Sequence, residues 1–125
     1  MTDIVLPTLK MEGYVIVDLN TGLFSSGGTN PRFKKKGKIW SSLGHLKNHL
    51  ALFTEKYYRD NADPYRKAKA KAFDIVTGKE LFDVSEYIDR RGKEMMIERE
   101  QRMERYRKQR KLDLERELKE LNKES

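Results

Sequence analysis

His45 and His49 are four residues apart, so on a helix the two imidazoles share a face and can reach a single metal ion. A zinc site needs three or four protein ligands, however, and the chain has no cysteine, no third histidine and no well-spaced carboxylate nearby. The other reading is structural: one imidazole packs near Trp40 and the other caps or hydrogen-bonds locally. Ser25, Ser26, Ser41 and Ser42 lie near glycines, but a serine nucleophile needs a base and an oriented third group, and no GxSxG spacing occurs. The run SSGG at 25–28 lacks the Gly-Lys-Ser/Thr that would follow in a phosphate-binding loop. The expectation is therefore no catalytic residue, no metal and no cofactor.

The basic runs are a stronger signal. Arg32, Lys34, Lys35, Lys36 and Lys38 fall within seven positions without an acid, and Arg66, Lys67, Lys69 and Lys71 form a second cluster. Beside Phe33, Trp40 and Tyr65 they match the combination of cations for phosphates and rings for bases. The alternative is that Phe33 and Trp40 are core residues flanking a solvated turn. Further along, Arg99, Arg102, Tyr106 and Arg110 recur at spacings of three, four and four, one face of a helix. That face can follow a phosphate backbone, fit an acidic protein groove, or simply be solvated. The candidate nucleic-acid set is thus Arg32, Lys34, Lys35, Lys36, Lys38, Trp40, Arg66, Lys67, Arg99, Arg102, Tyr106 and Arg110.

Composition limits what can hold these residues. In 125 residues, 37% are hydrophobic and 38% charged, so part of the chain must lie outside any core. The net charge of +7 favours phosphate backbones, anionic surfaces or acidic proteins. The absence of cysteine fits a reducing cytosol. The N-terminal stretch MTDIVLPTLKMEGYVIVDL lacks the form of a signal peptide, and no window has the apolar length to cross a bilayer. A cytoplasmic protein without a membrane partner is expected.

The elements that must position the candidates follow from local pattern. Tyr14 to Val17 is apolar and β-branched, and Asp18, Asn20 and Gly22 then make a turn before Leu23 and Phe24, which reads as a hairpin. Phe73 to Val84 repeats this grammar around Thr77 and Gly78, and both hairpins can join one antiparallel sheet. Ser41 or Ser42 caps a helix whose Leu43, Leu46, Leu50 and Phe53 share a face that would cover the sheet. Residues 60–64, DNADP, read as a break, followed by an extended approach through YRKAKAKAF.

From Ser85, a good N-cap, the chain has no proline and one glycine, and reads as a long charged helix supported by acid-before-base pairs such as Glu104 with Lys108. Arg90 to Lys111 carries a net charge of +6 and Leu112 to Ser125 a net of −2. Leu112, Leu114, Leu118 and Leu121 give the last section an apolar stripe, which suggests another chain as partner, a second copy or a host protein. The expected architecture is α+β: residues 1–84 as a small domain of two hairpins and a covering helix, and residues 85–125 as an extended charged helix.

Two resemblances bear on function. Residues 13–28, GYVIVDLNTGLFSSGG, are similar to the opening hairpin of GIY-YIG endonucleases, with Gly13 and Tyr14 in place of the first motif. The tyrosine of the second motif is missing, and no Arg and metal-binding Glu pair follows unless Arg32 and Glu55 serve. Residues 22–50, GLFSSGGTNPRFKKKGKIWSSLGHLKNHL, resemble a pattern in small uncharacterised proteins of tailed bacteriophages: a Gly-Leu-Phe-Ser turn, a Lys-Gly-Lys-x-Trp step, and a helix of leucines and histidines. The resemblance implies a setting, the cytoplasm of an infected bacterial host, in which small basic proteins bind nucleic acid or host machinery. Two functions are therefore carried forward. One is a non-enzymatic accessory protein that binds nucleic acid or a nucleoprotein; the other is a modulator or inhibitor of a host enzyme, docking through the C-terminal helix.

Overall fold

A computed structural model of the chain describes residues 4–7 and 12–124; residues 1–3 and 8–11, part of the stretch tested for a leader, lie outside it, as does Ser125. The fold is α+β. Its centre is a five-stranded antiparallel sheet in the order β3-β2-β1-β4-β5, built from β1 (Tyr14–Asp18), β2 (Phe24–Ser25), β3 (Phe33–Lys34), β4 (Ala70–Asp74) and β5 (Glu80–Asp83). The helices are α1 (Leu43–Ala51), α2 (Asp63–Lys67) and α3 (Val84–Glu124), with 3-10 turns at Leu52–Thr54 and Arg59–Ala62. Two compact units result, Met1–Gly92 and Lys93–Ser125.

β1 is apolar without alternation because both its faces are covered. Ile16 faces a cluster with Leu46, Leu50, Phe53 and Tyr65, while Val15 and Val17 face a smaller one with Ile75, Phe24, Ile4 and Leu6. β4 does alternate. Ala70 and Ala72 turn small side chains toward the helical layer, which lets the helices approach closely, and Phe73 packs into the smaller cluster. The two expected hairpins are present as β1–β2 and β4–β5, with Gly22 and Gly78 at φ of 74° and 72°, the left-handed region their turns demand. In α1, Ser42 is the cap, accepting from the His45 N–H at 3.1 Å; Leu46, Leu50 and Phe53 are buried, and Leu43 is half-buried.

Three local expectations change. Residues 60–64 are not a break: they complete a 3-10 turn and open α2, with Pro64 in the first helical turn, where its missing N–H has no partner to lose. Extended chain accordingly begins after α2, so only the second half of YRKAKAKAF approaches the hairpin as strand. Asp83, not Ser85, caps α3: its carboxylate accepts from the Glu86 N–H at 3.0 Å, and Glu86 in the first turn suits the helix dipole. Val84, Tyr87 and Ile88, at helical spacing, then bury the first turns of α3 in the larger cluster, which is why the first unit runs to Gly92.

Candidate functional site

The cations at 32–38 sit at one edge of the sheet. β3, the edge strand, is only two residues long and pairs Phe33 with Ser25 and Lys34 with Phe24, and together with the segment that follows, which turns back past β2 toward β1, it makes this border. Backbone bonds fix it at both ends: Ser26 N–H donates to Arg32 O at 2.7 Å, and Lys38 N–H donates to Ser25 O at 2.8 Å. The Ser26 hydroxyl also accepts from Arg32 N–H at 3.0 Å. Trp40 then exchanges two 2.9 Å backbone bonds with Tyr14, returning the chain to β1. Arg32, Lys34, Lys35, Lys36 and Lys38 are all exposed on this border. Among the described residues none of the five forms an ion pair.

The border separates two concavities. One, about 580 Å³, is lined by Gly28, Lys38, Trp40, Ser41, His45 and His49 among others. The second, about 290 Å³ and mainly apolar, lies on the smaller cluster's side, where Pro7, Val15 and Phe24 meet Lys35, Lys36 and Gly37. Ile39 lines both.

Aromatic rings form the floor of the larger concavity. Trp40 is 3% exposed, with its ring 5.1 Å from His49 and the Lys38 ammonium 5.7 Å from its centroid. His49 also meets Phe53 and Tyr65 edge-on at 5.1 and 5.9 Å. Burial overturns Trp40 as a stacking platform: a ring covered on this scale has no face to offer a base, and Tyr65 is wholly buried as well.

A hydrogen-bonded chain runs beneath the floor. Ser25 and Tyr65, both fully buried, are joined through their hydroxyls, and Tyr65 OH lies 2.8 Å from His49 Nε2. Ser25 Oγ also accepts from Gly27 N–H at 3.1 Å, so the chain is anchored to the backbone at its buried end and reaches the His49 imidazole at the other. Burial, aided by the nearby Lys38 charge, lowers the His49 pKa from 6.5 to about 4, while burial raises the Tyr65 pKa against the opposing effect of the Ser25 bond.

The His49 shift has a consequence for stability. Folded His49 stays neutral down to about pH 4, whereas the unfolded chain takes up a proton below 6.5. Stability present above pH 6.5 is thus lost as the pH falls toward 4, by about 1 to 2 kcal/mol once partial solvent access is allowed for. Urea titrations at pH 7 and pH 5 should show this loss in the native chain and a smaller one in His49→Gln.

The other candidates separate. His45 lines the same concavity but lies 3.4 Å from Ser41 Oγ through Nδ1, a long bond on an exposed surface, and takes no part in the buried chain of Ser25, Tyr65 and His49. Among the described residues no group of three His, Cys, Asp or Glu side chains is placed to hold a metal ion. Arg66 leaves the basic set: its guanidinium donates to Asp89 at 2.8 Å, so it ties α2 to the start of α3. Lys71 is similarly engaged, 3.1 Å from Glu80 and 3.4 Å from Asp83 on β5, and its pKa is raised, chiefly by the Glu80 bond. Lys67 and Lys69 remain exposed.

In the second unit, Arg99, Arg102, Tyr106 and Arg110 share one helical face, as their spacing requires, and Glu104 pairs with Lys108 at 3.4 Å. Leu112 does not belong to the leucine stripe. Two residues before Leu114, it sits about 200° around the helix from it. Leu114, Leu118 and Leu121 instead continue a stripe that begins at Met96 and Met103, all five exposed. Sequence reasoning missed the two methionines because steps of seven and eleven residues leave no mark at the three- and four-residue spacings that signal a helix face. It also missed the Ser25–Tyr65 bond, which joins residues 40 apart in sequence.

No helix among the described residues is long and apolar enough to cross a membrane. In comparisons with known proteins, the chain matches no family model, no curated protein and no solved structure.

Proposed function

We propose that this chain is a non-enzymatic accessory protein that binds nucleic acid through the Arg32 to Lys38 border of its sheet. One observation carries the reading: five exposed cations without an ion pair among the described residues, on a border held at both ends by backbone bonds. A fixed row of cations suits the regular phosphates of a backbone better than a flexible tail does, since less side-chain and main-chain freedom is lost on contact. With Trp40 and Tyr65 buried, contact is to phosphates, and binding is largely independent of sequence. The resemblance to phage proteins makes the cytoplasm of an infected bacterial host the proposed setting.

Salt tests this directly. Five phosphate contacts give log K against log salt a slope of about −4.5 on duplex DNA, so affinity should fall by 10²-fold to 10³-fold between about 50 and about 200 mM salt. Fluorescence anisotropy with a labelled duplex would measure it, and a slope near zero would remove the electrostatic basis of the reading. Docking on a host protein through the second unit is the other reading, favoured by a separate observation, the exposed stripe from Met96 to Leu121.

A further inference from the structure

The stripe on the second unit has an internal symmetry. Met96, Met103, Leu114 and Leu121 are separated by seven, eleven and seven residues, a spacing that reads the same in both directions along the helix. All four are exposed, at 63%, 48%, 45% and 62%. We propose that they are the seam of an antiparallel pair of α3 helices from two copies of this chain. This goes beyond nucleic-acid binding and does not depend on it.

A twofold pair brings residue i of one copy to residue j of the other and j to i. With Met96 opposite Leu121, Met103 falls opposite Leu114, and every other position is then fixed. Assigning Met96 and Met103 to d and Leu114 and Leu121 to a, the residues flanking the seam are Ile97, Glu104, Lys111 and Leu118 on one side and Arg99, Tyr106, Asp113 and Glu120 on the other. In this register Ile97 meets Leu118 of the second copy, Glu104 meets Lys111, Arg99 meets Glu120, and Tyr106 meets Asp113. Four independent flanking pairs are thus complementary, although only the apolar spacing set the register. Net charge agrees: residues 93–111 carry +4 and 112–125 carry −2, so antiparallel pairing sets unlike halves side by side.

A parallel pair stacks each residue on itself, bringing Arg107 onto Arg107 and Glu117 onto Glu117 along with the two basic halves. The antiparallel seam has weak layers too, since Glu100 meets Glu117 and Arg107 meets Arg110. Their long stems carry the charges to the rim, where Arg110 lies diagonal to Glu104 of the second copy and Arg107 to Asp113. These layers weaken the pair without changing its direction. The pairing occupies Arg99, Tyr106 and Arg110, which leaves nucleic-acid contact to the sheet border.

Because the chain has no cysteine, introduced thiols report cleanly. Full-length Met103→Cys and Leu114→Cys chains are oxidised separately and mixed, then run on a non-reducing gel. The expected result is disulfide dimer in the mixture and little from either chain alone. Leu112→Cys, on the far side of the helix, should not replace Leu114→Cys. Sedimentation equilibrium of the native chain should show dimer, lost in Met103→Glu/Leu114→Glu and strengthened in Arg107→Leu/Arg110→Leu. Self-crosslinking of Met103→Cys as efficient as in the mixture would mean a parallel pair and overturn the proposal, as would equal crosslinking to Leu112→Cys or a native chain that sediments as monomer throughout. None of these outcomes bears on the sheet border, which the salt titration tests separately.

Discussion

Changing Lys34, Lys35 and Lys36 together to Glu should lower duplex affinity by about 10³-fold or more at 100 mM salt, because each lost phosphate contact removes about 0.9 of a decade through counterion release and each new carboxylate adds repulsion. The log–log salt slope should become shallower by about three units in the same titration. Folding should be unaffected to within about 0.5 kcal/mol, since the three side chains are exposed and unpaired among the described residues. That separation of binding from stability distinguishes a functional surface from a structural one. Lys79 provides the control: it is exposed in the β4–β5 turn at the opposite edge of the sheet, and its reversal should change affinity far less.

The second large effect lies at Gly37, inside the same border. A methyl group there would run into Ser25 O and come within 2.5 Å of Phe24 Cβ, both on the neighbouring strand and neither able to swing away as a side-chain tip would. Gly37→Ala should therefore destabilise the first unit by about 3 kcal/mol, lowering Tm by on the order of 10 °C in a thermal melt. The requirement at Gly37 is close approach, and the bond from Lys38 N–H to Ser25 O shows why the chain must pass so near β2. Gly44 is the contrasting case. A methyl there finds its nearest neighbour, Ser42 Oγ, at 3.9 Å, so Gly44→Ala on α1 should stabilise by about 0.5 to 1 kcal/mol. A Gly37→Ala chain as stable as the native one would contradict the packing described for β2 and the 34–38 segment.

Legibility of the fold in the sequence followed the length of each pattern. β1 and the two hairpins were readable because β-branched residues and turn glycines occur together, and α1 because Leu46, Leu50 and Phe53 recur at helical steps. β3 was not, since two residues carry no periodicity, and its pairing depends on β2, eight positions away. Asn, Asp and Pro suit a helix start as well as a turn, so DNADP could be resolved only by the buried Ala62 and Tyr65 that draw it into the helical layer. At the start of α3, the Asp83 and Glu86 pair was a visible capping signal, three residues apart, that Ser85 obscured.

The candidate site divides along the same line. The cations were legible as types and spacing, and their exposure follows from a two-residue edge strand and the irregular segments on either side of it. What Trp40 does was not, because a tryptophan between an isoleucine and two serines looks alike in sequence whether it faces solvent or the core. Its burial follows from contacts with His49 and the core, made by residues that local pattern does not connect. Leu112 shows the opposite error, in which proximity in sequence was read as proximity on a helix face.

The most direct test of the central claim is lysine footprinting of the full chain, alone and saturated with a short DNA duplex at low salt, by reductive methylation and mass spectrometry. Protection concentrated at Lys34, Lys35, Lys36 and Lys38, with Lys56 and Lys79 modified equally in both states, is the predicted result. Unchanged modification at Lys34 to Lys38, with protection confined to the lysines from 93 to 119, would contradict it.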